Sequence, residues 1–315
     1  MQEEMKTMQK DFLALLPCPL KVPLENAFMS YVGEETDFTY ALEGNANHHD
    51  LFFDPKEKVA SLDELSEVMI SSGLNKFYYK PFIDAYVGKD LFEDIERESK
   101  DLKDSHGLRD PKGTYHIFAM NLLVMAVDLD QLGDREPPKS WKDVLDKSYK
   151  DQVAIRGKDG KYCETTLLAV YKAHGMMGIE ALAQSVKCGW HPAQMVKAIG
   201  KGKTDVPTVS IMPYFYAKML MGNPRVKIVW PEEGAIVSPI TMMVKKERKT
   251  ELDVVIDFFK SKQVREICAS CYLPSPKDFD SQEELKDKKL NWVGWDFIYK
   301  EDIENLLEQL NSYFI

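Results

Sequence analysis

Apolar and polar positions along the chain follow two alternating spacings. Short, nearly unbroken apolar runs, "DFLALLP" (11–17), "EVMIS" (67–71), "DQVAIRG" (151–157) and "TDVPTVSI" (204–211), are bounded by turn formers and predict buried strands. Each leads through a short loop into a segment with helical spacing. "CPLKVP" leads into "LENAFMSYV", "SGLN" into "KFYYKPFIDAYV", "KDGKYCE" into "TTLLAVYKAHG", and "MP" into "YFYAKMLMG". "DFTYALEG" likewise runs into "NANHHD", and "IFAMNLLVMAV" (117–127) is short enough to be one buried strand. Strands alternating with helices predict an α/β architecture with parallel or mixed sheets.

In such sheets ligands bind beyond the carboxyl ends of the strands, where the next helix exposes unpaired backbone N–H groups. That directs attention to the loops Cys18 to Pro23, Gly44 to Asp50, Ser71 to Asn75, Gly157 to Glu164 and Met212 to Tyr216. Other stretches act as punctuation. Ser140-x-x-Asp143 has the form of a helix cap and predicts a helix start. The polar segment 100–116, with two glycines and a proline, predicts a solvated surface loop. No fixed-period repeat or low-complexity tract is present.

A length of 315 residues predicts two lobes. The net charge of −10 opposes a nucleic-acid partner. No stretch approaches the roughly 18 apolar residues that a spanning helix needs. The start, "MQEEMKTMQKDF", lacks the pattern of a secretory leader. The location is therefore extracytoplasmic if a leader was removed, and cytoplasmic if Met1 is the natural start. Five cysteines (18, 163, 188, 268 and 271) are an odd number and imply no complete disulfide framework. "CASC" (268–271) has redox or half-zinc spacing but no second pair, so a structural or incidental role is expected.

Four stretches in order carry a family resemblance: "PPKSWKDVLDKSYKDQVAIRG", "VSIMPYFYAKML", "IVWPEEGAIVSPITMMVKKERKTELDVVIDFFKSKQVREICASCYLPSP" and "LNWVGWDFIYKEDI". From about Asp11 onward the chain resembles solute-binding proteins of ABC transporters in the iron, polyamine and sulfate cluster, which have the type II periplasmic-binding-protein fold. The resemblance implies a bilobal α/β fold with mixed sheets. Lobe 1 would comprise 11–118 and 236–315, and lobe 2 would comprise 119–235. Two crossing segments would join them, near Ala119 to Asn121 and Glu233 to Ser238, with Gly234 as a hinge or a plain turn glycine. It also implies a monomer without catalysis that binds a small polar solute or metal complex in the cleft, closes about the hinge, and delivers the solute to a membrane permease. No cofactor is required; a metal ion or small anion would be bound as ligand.

In ferric-binding members the segment matching "VSIMPYFYAKML" carries adjacent tyrosines. Here Tyr214 and Tyr216 are separated by Phe215, and positions i and i+2 on a helix face different ways. Tyr214 is the expected ligand-facing group, with Tyr216 joining it only in a ferric site. His48, with His49 and Asp50, is a metal-ligand candidate or a loop-surface group. Ser71, Ser72 and Gly73 either offer donors to an anion or cap a helix. Arg156, Lys161 and Tyr162 either pair with a ligand carboxylate or anion, or form surface. Glu233 would bind an amine or metal from the crossing segment. Trp190, His191, Trp292 and Trp295 are expected to pack.

The binding-protein reading fits the absence of Walker A, H-E-x-x-H, G-x-S-x-G and G-x-G-x-x-G motifs. The alternatives are an intracellular sensor or enzyme on the same fold, a ferric iron-binding protein using Tyr214 and Tyr216, and a redox or metal role for "CASC".

Overall fold

The structure is a computed structural model that describes residues 10–33, 35–44, 61–97, 106–158 and 160–314. The strands are β1 (Phe12–Leu15), β2 (Tyr40–Glu43), β3 (Val68–Ser72), β4 (His116–Asp128), β5 (Val153–Ile155), β6 (Gly157–Lys158), β7 (Lys161–Tyr162), β8 (Val186–Gly189), β9 (Val209–Pro213), β10 (Val226–Val229), β11 (Ala235–Val244) and β12 (Leu290–Asn291). The helices are α1 (Cys18–Val32), α2 (Lys80–Tyr86), α3 (Leu129–Leu132), α4 (Glu164–Ser185), α5 (Pro192–Ala198), α6 (Tyr214–Lys218), α7 (Asp253–Lys260), α8 (Lys262–Ser270), α9 (Trp295–Lys300) and α10 (Ile303–Asn311). The α/β class with mixed sheets stands.

The chain divides into two compact units. The first holds residues 1–120, 239–279 and 294–301; the second holds 121–238, 280–293 and 302–315. The backbone therefore changes unit within β4 and β11, and again in the tail. The sequence reading assigned the whole of 236–315 to the first lobe, whereas 280–293 and 302–315 pack with the second unit.

In the first unit β1 lies between β2 and β3, parallel to both, and β11 runs antiparallel to β3. The apolar strand β1 is buried along its length, because helices cover its sheet: Phe12 meets Phe28 of α1 and Phe259 of α7 at 5.5 and 5.6 Å between ring centres. In the second unit β9 is antiparallel to β4 and parallel to β5, β8 is parallel to β5, and β10 joins β4 antiparallel.

Three local expectations are corrected. "CPLKVP" is helix rather than loop: α1 starts at Cys18, carries Pro19 in its first turn and absorbs Pro23. Proline costs least near a helix start, where backbone N–H groups have no intrahelical partner. Ser140 and Asp143 do exchange hydrogen bonds, Asp143 Oδ2 accepting from Ser140 N at 2.9 Å and Ser140 Oγ from Asp143 N at 3.2 Å. The chain then makes only single 3-10 turns, at Asp143–Leu145 and Lys147–Tyr149. Of the stretch 100–116, residues 100–105 lie outside the described residues, but the remainder is no solvated loop. Asp110 is 3% exposed and accepts from the backbone N–H groups of Lys112, Thr114 and Tyr115 and from the Tyr299 hydroxyl.

Candidate functional site

Strand β5 ends at Ile155, and Arg156 is the first residue beyond it. The chain then makes the two-stranded hairpin β6–β7, closed at its neck where Cys163 N donates to the Arg156 carbonyl at 2.8 Å, and α4 begins. The first N–H groups of a helix have no intrahelical partner, and the Cys163 side chain makes no capping bond to them. The helix start thus presents partial positive charge, with Glu164 as the acidic residue of its first turn.

Beside it lies a recess of about 310 Å³, counting the space at its mouth, entirely within the second unit. Asn121 and Leu123 of β4, Arg156, Cys163 and Thr166, Ile211 and Pro213 of β9, and Ser238 of β11 line it. Thr166 is 1% exposed, and its Oγ1 meets no hydrogen-bond partner among the described residues; neither does the buried Asn121 Oδ1. An unmet buried polar atom costs about 1–3 kcal/mol, so these two are suited to a bound group. The Arg156 guanidinium donates from Nη2 to Glu164 Oε2 at 2.7 Å, and Glu164 followed by Cys163 pushes its pKa further up, which keeps it cationic.

Lys161 and Tyr162, the neighbours of Arg156 in sequence, go elsewhere. Lys161 is exposed on β7, while Tyr162 N donates to Asn311 Oδ1 at 2.8 Å and its ring lies 4.6 Å from that of Phe314. Tyr214 opens α6 and is 8% exposed; its hydroxyl donates to Glu284, which also holds Lys218, and its ring meets the edge of Trp230 at 5.4 Å. The Tyr216 ring is 6.1 Å from His191, the residue that caps α5. The two phenols therefore have separate surroundings. Glu233 Oε2 accepts from Trp141 N at 3.1 Å, and the Trp141 indole donates to the Gly234 carbonyl at 2.8 Å.

In the first unit Ser71 Oγ accepts from Asn75 Nδ2 at 3.0 Å, Ser72 Oγ donates to the Leu15 carbonyl at 3.2 Å, and Gly73 N donates to the Pro239 carbonyl at 2.8 Å. The Gly73 N–H is thereby committed to the protein. His48 lies outside the described residues. Among the described residues no group of three or more His, Cys, Asp or Glu side chains is placed to hold a metal ion. Nor is any described helix long and apolar enough to cross a membrane.

Of the sequence candidates, the recess takes Arg156 alone, and it adds Asn121, Cys163, Thr166 and Ser238. Two of these carried a visible signal: Asn121 interrupts "IFAMNLLVMAV" and Ser238 interrupts "AIVSPITMMV". A polar residue inside a buried apolar strand needs a partner.

The family model of the bacterial extracellular solute-binding proteins matches residues 63–301. The chain belongs to this family. It is a solute-binding component of ABC-type transport, and the family is one of transport rather than of enzymes. Family membership carries with it a small-molecule ligand, a membrane permease as partner, and a periplasmic or surface location. No curated protein matches the chain. Among solved structures of like fold is apo ferric ion-binding protein A of Pasteurella haemolytica, at 17% identity and TM-score 0.68, covering 96% of each chain. The Trichodesmium protein IdiA (FutA), in complex with iron and citrate ligands, matches at 13% identity and TM-score 0.66, covering 96% of this chain and 98% of that one. The periplasmic binding protein AfuA of Actinobacillus pleuropneumoniae, with exogenous fructose-6-phosphate bound, matches at 14% identity and TM-score 0.67, covering 96% and 97%.

Proposed function

We propose that the solute carries an anionic group, a carboxylate or phosphate, together with a hydroxyl, and that the anionic group docks in the recess at the start of α4. The observation that carries this reading is the pair of unmet buried polar atoms, Thr166 Oγ1 and Asn121 Oδ1, beside the Arg156 guanidinium and an uncapped helix start. The backbone N–H groups and Arg156 would donate to the anion, and the Thr166 hydroxyl would add another donor. The Asn121 carbonyl oxygen accepts only, so it requires a donor, which a hydroxyl on the solute supplies. Citrate and fructose-6-phosphate, found with two relatives of like fold, both combine these features. Tyr214 and Tyr216 take no part, because the first phenol donates to Glu284 and the second ring lies against His191.

Calorimetry and thermal melting with inorganic phosphate, citrate and fructose-6-phosphate, and with an uncharged polyol as control, test the reading. At least one of the anions is expected to raise the melting temperature with the logarithm of its concentration. Arg156→Gln is expected to weaken that binding about tenfold, equivalent to about 1.4 kcal/mol. Stabilisation by the polyol alone would sink the proposal.

A further inference from the structure

We propose that Cys163 is a modification site for small anionic electrophiles, which the recess draws onto its thiol. The inference rests on reading the recess as an anion site. Cys163 is 5% exposed and lines the recess directly before the first residue of α4, with the Arg156 guanidinium in hydrogen-bonding reach of its sulfur. The sulfur is the nucleophile, and the Arg156 guanidinium and the helix start beside it draw an anionic reagent toward it. The carboxylate of the next residue, Glu164, is held by Arg156. Independently of the thiol, Thr166 points to a bound group here, because its unmet hydroxyl is almost wholly buried in the same wall. A group that enters to satisfy it arrives beside the sulfur.

The other cysteines have different surroundings. Cys18 is exposed and its Sγ donates to the Gly44 carbonyl at 2.8 Å, and Cys271 Sγ lies 3.4 Å from the Pro19 carbonyl. Burial pushes the Cys268 thiol up to about 12 and the Cys188 thiol up to about 11, which leaves both poorly nucleophilic. Cys18, which also opens a helix, therefore serves as an internal reference for an exposed thiol at a helix start outside the recess.

With iodoacetate the reaction is a simple displacement. The Cys163 sulfur attacks the methylene carbon, the S–C bond forms as the C–I bond breaks, iodide leaves with the bonding pair, and the thiol proton passes to solvent. The product carries a carboxylate into the space where the solute's anionic group docks. Alkylation and solute binding should therefore exclude one another.

The full chain is treated in parallel with iodoacetate and with neutral iodoacetamide, and adducts are followed by peptide mass spectrometry. The iodoacetate-to-iodoacetamide rate ratio at Cys163 is expected to exceed that at Cys18 about tenfold. Inorganic phosphate should slow labelling at Cys163 and leave Cys18 unchanged. Equal ratios at the two cysteines, or labelling of Cys163 only after unfolding, would overturn the inference. Cys163→Ser, with Cys163→Ala as a second variant should the first fail to fold, is titrated with phosphate and citrate beside the wild type. Retained charge selectivity with no binding of either anion to any of these proteins would remove the solute reading and leave the modification site standing.

Discussion

Glu284 accepts from the Tyr214 hydroxyl and from Lys218 at once, so one carboxylate organises the start of α6. Burial raises its pKa, but the bonds from Lys218 and Tyr214 outweigh that and hold it below the usual glutamate range. Tyr214→Phe keeps the ring against Trp230 and removes one hydrogen bond. It is expected to lower stability by about 0.5–1.5 kcal/mol and to leave affinity for phosphate or citrate unchanged, as denaturant melts and calorimetry would show. A tenfold affinity loss would return the phenol to the site.

Glu96 offers the corresponding pH test in the first unit, where its carboxylate lies 3.1 Å from His116 Nδ1 and 3.9 Å from Lys277 Nζ. Burial raises its pKa, and the contacts with His116 and then Lys277 and Arg109 bring it below 4.5 overall. A folded value below the unfolded one gives stability that is present above pH 4.5 and lost as pH falls through the folded value. Glu96→Gln is therefore expected to destabilise by about 1–3 kcal/mol at pH 7 and progressively less in acid. A pH-independent difference between the two melting curves would refute it.

Single elements show where local pattern suffices and where it does not. The strands β1, β3, β5 and β9 were legible because each is an apolar run that its own unit buries, and β4 because it is a long apolar run, although it passes from the first unit to the second. The capping pair Ser140 and Asp143 was also legible, but Trp141 between them turns inward to donate to the Gly234 carbonyl, and the chain makes no full helix there. The recess was only half legible. Arg156 announced itself by following a strand and Cys163 lay in the loop Gly157 to Glu164, whereas Thr166 read only as the start of a helix, and their meeting with Asn121 and Ser238 depends on strands far apart in sequence. Tertiary contact, not local pattern, also accounts for Asp110. Its carboxylate ends a ladder in which Tyr78, Tyr115, Trp295 and Tyr299 stack at centroid spacings from 4.6 to 5.9 Å between successive rings. Asp110→Ala leaves buried N–H groups and the Tyr299 hydroxyl unmet. A loss of about 2–4 kcal/mol in urea unfolding is expected, well above the roughly 0.5 kcal/mol of an ordinary surface change.

For the molecule as a whole, the tail returns twice to the second unit. Helix α10 buries Ile303, Leu306, Leu307 and Leu310, and its Asn311 accepts from Tyr162 N, which ties the hairpin before α4 to the far end of the chain. Leu310→Ala is expected to cost about 2–5 kcal/mol and to loosen that hairpin, read as faster amide exchange at Tyr162. Unchanged exchange there in a destabilised variant would separate the tail from the site. The interleaving of 280–293, 294–301 and 302–315 between the units also has a temporal meaning. At about 5–20 residues per second, synthesis from Asn121 to Asn311 takes about ten to forty seconds. Until Glu301 has been made, neither unit has all its parts. The nascent chain is thus barred from completing either core until residue 301 has been made, and a fragment cut short of it should emerge as a client for chaperones rather than as a domain.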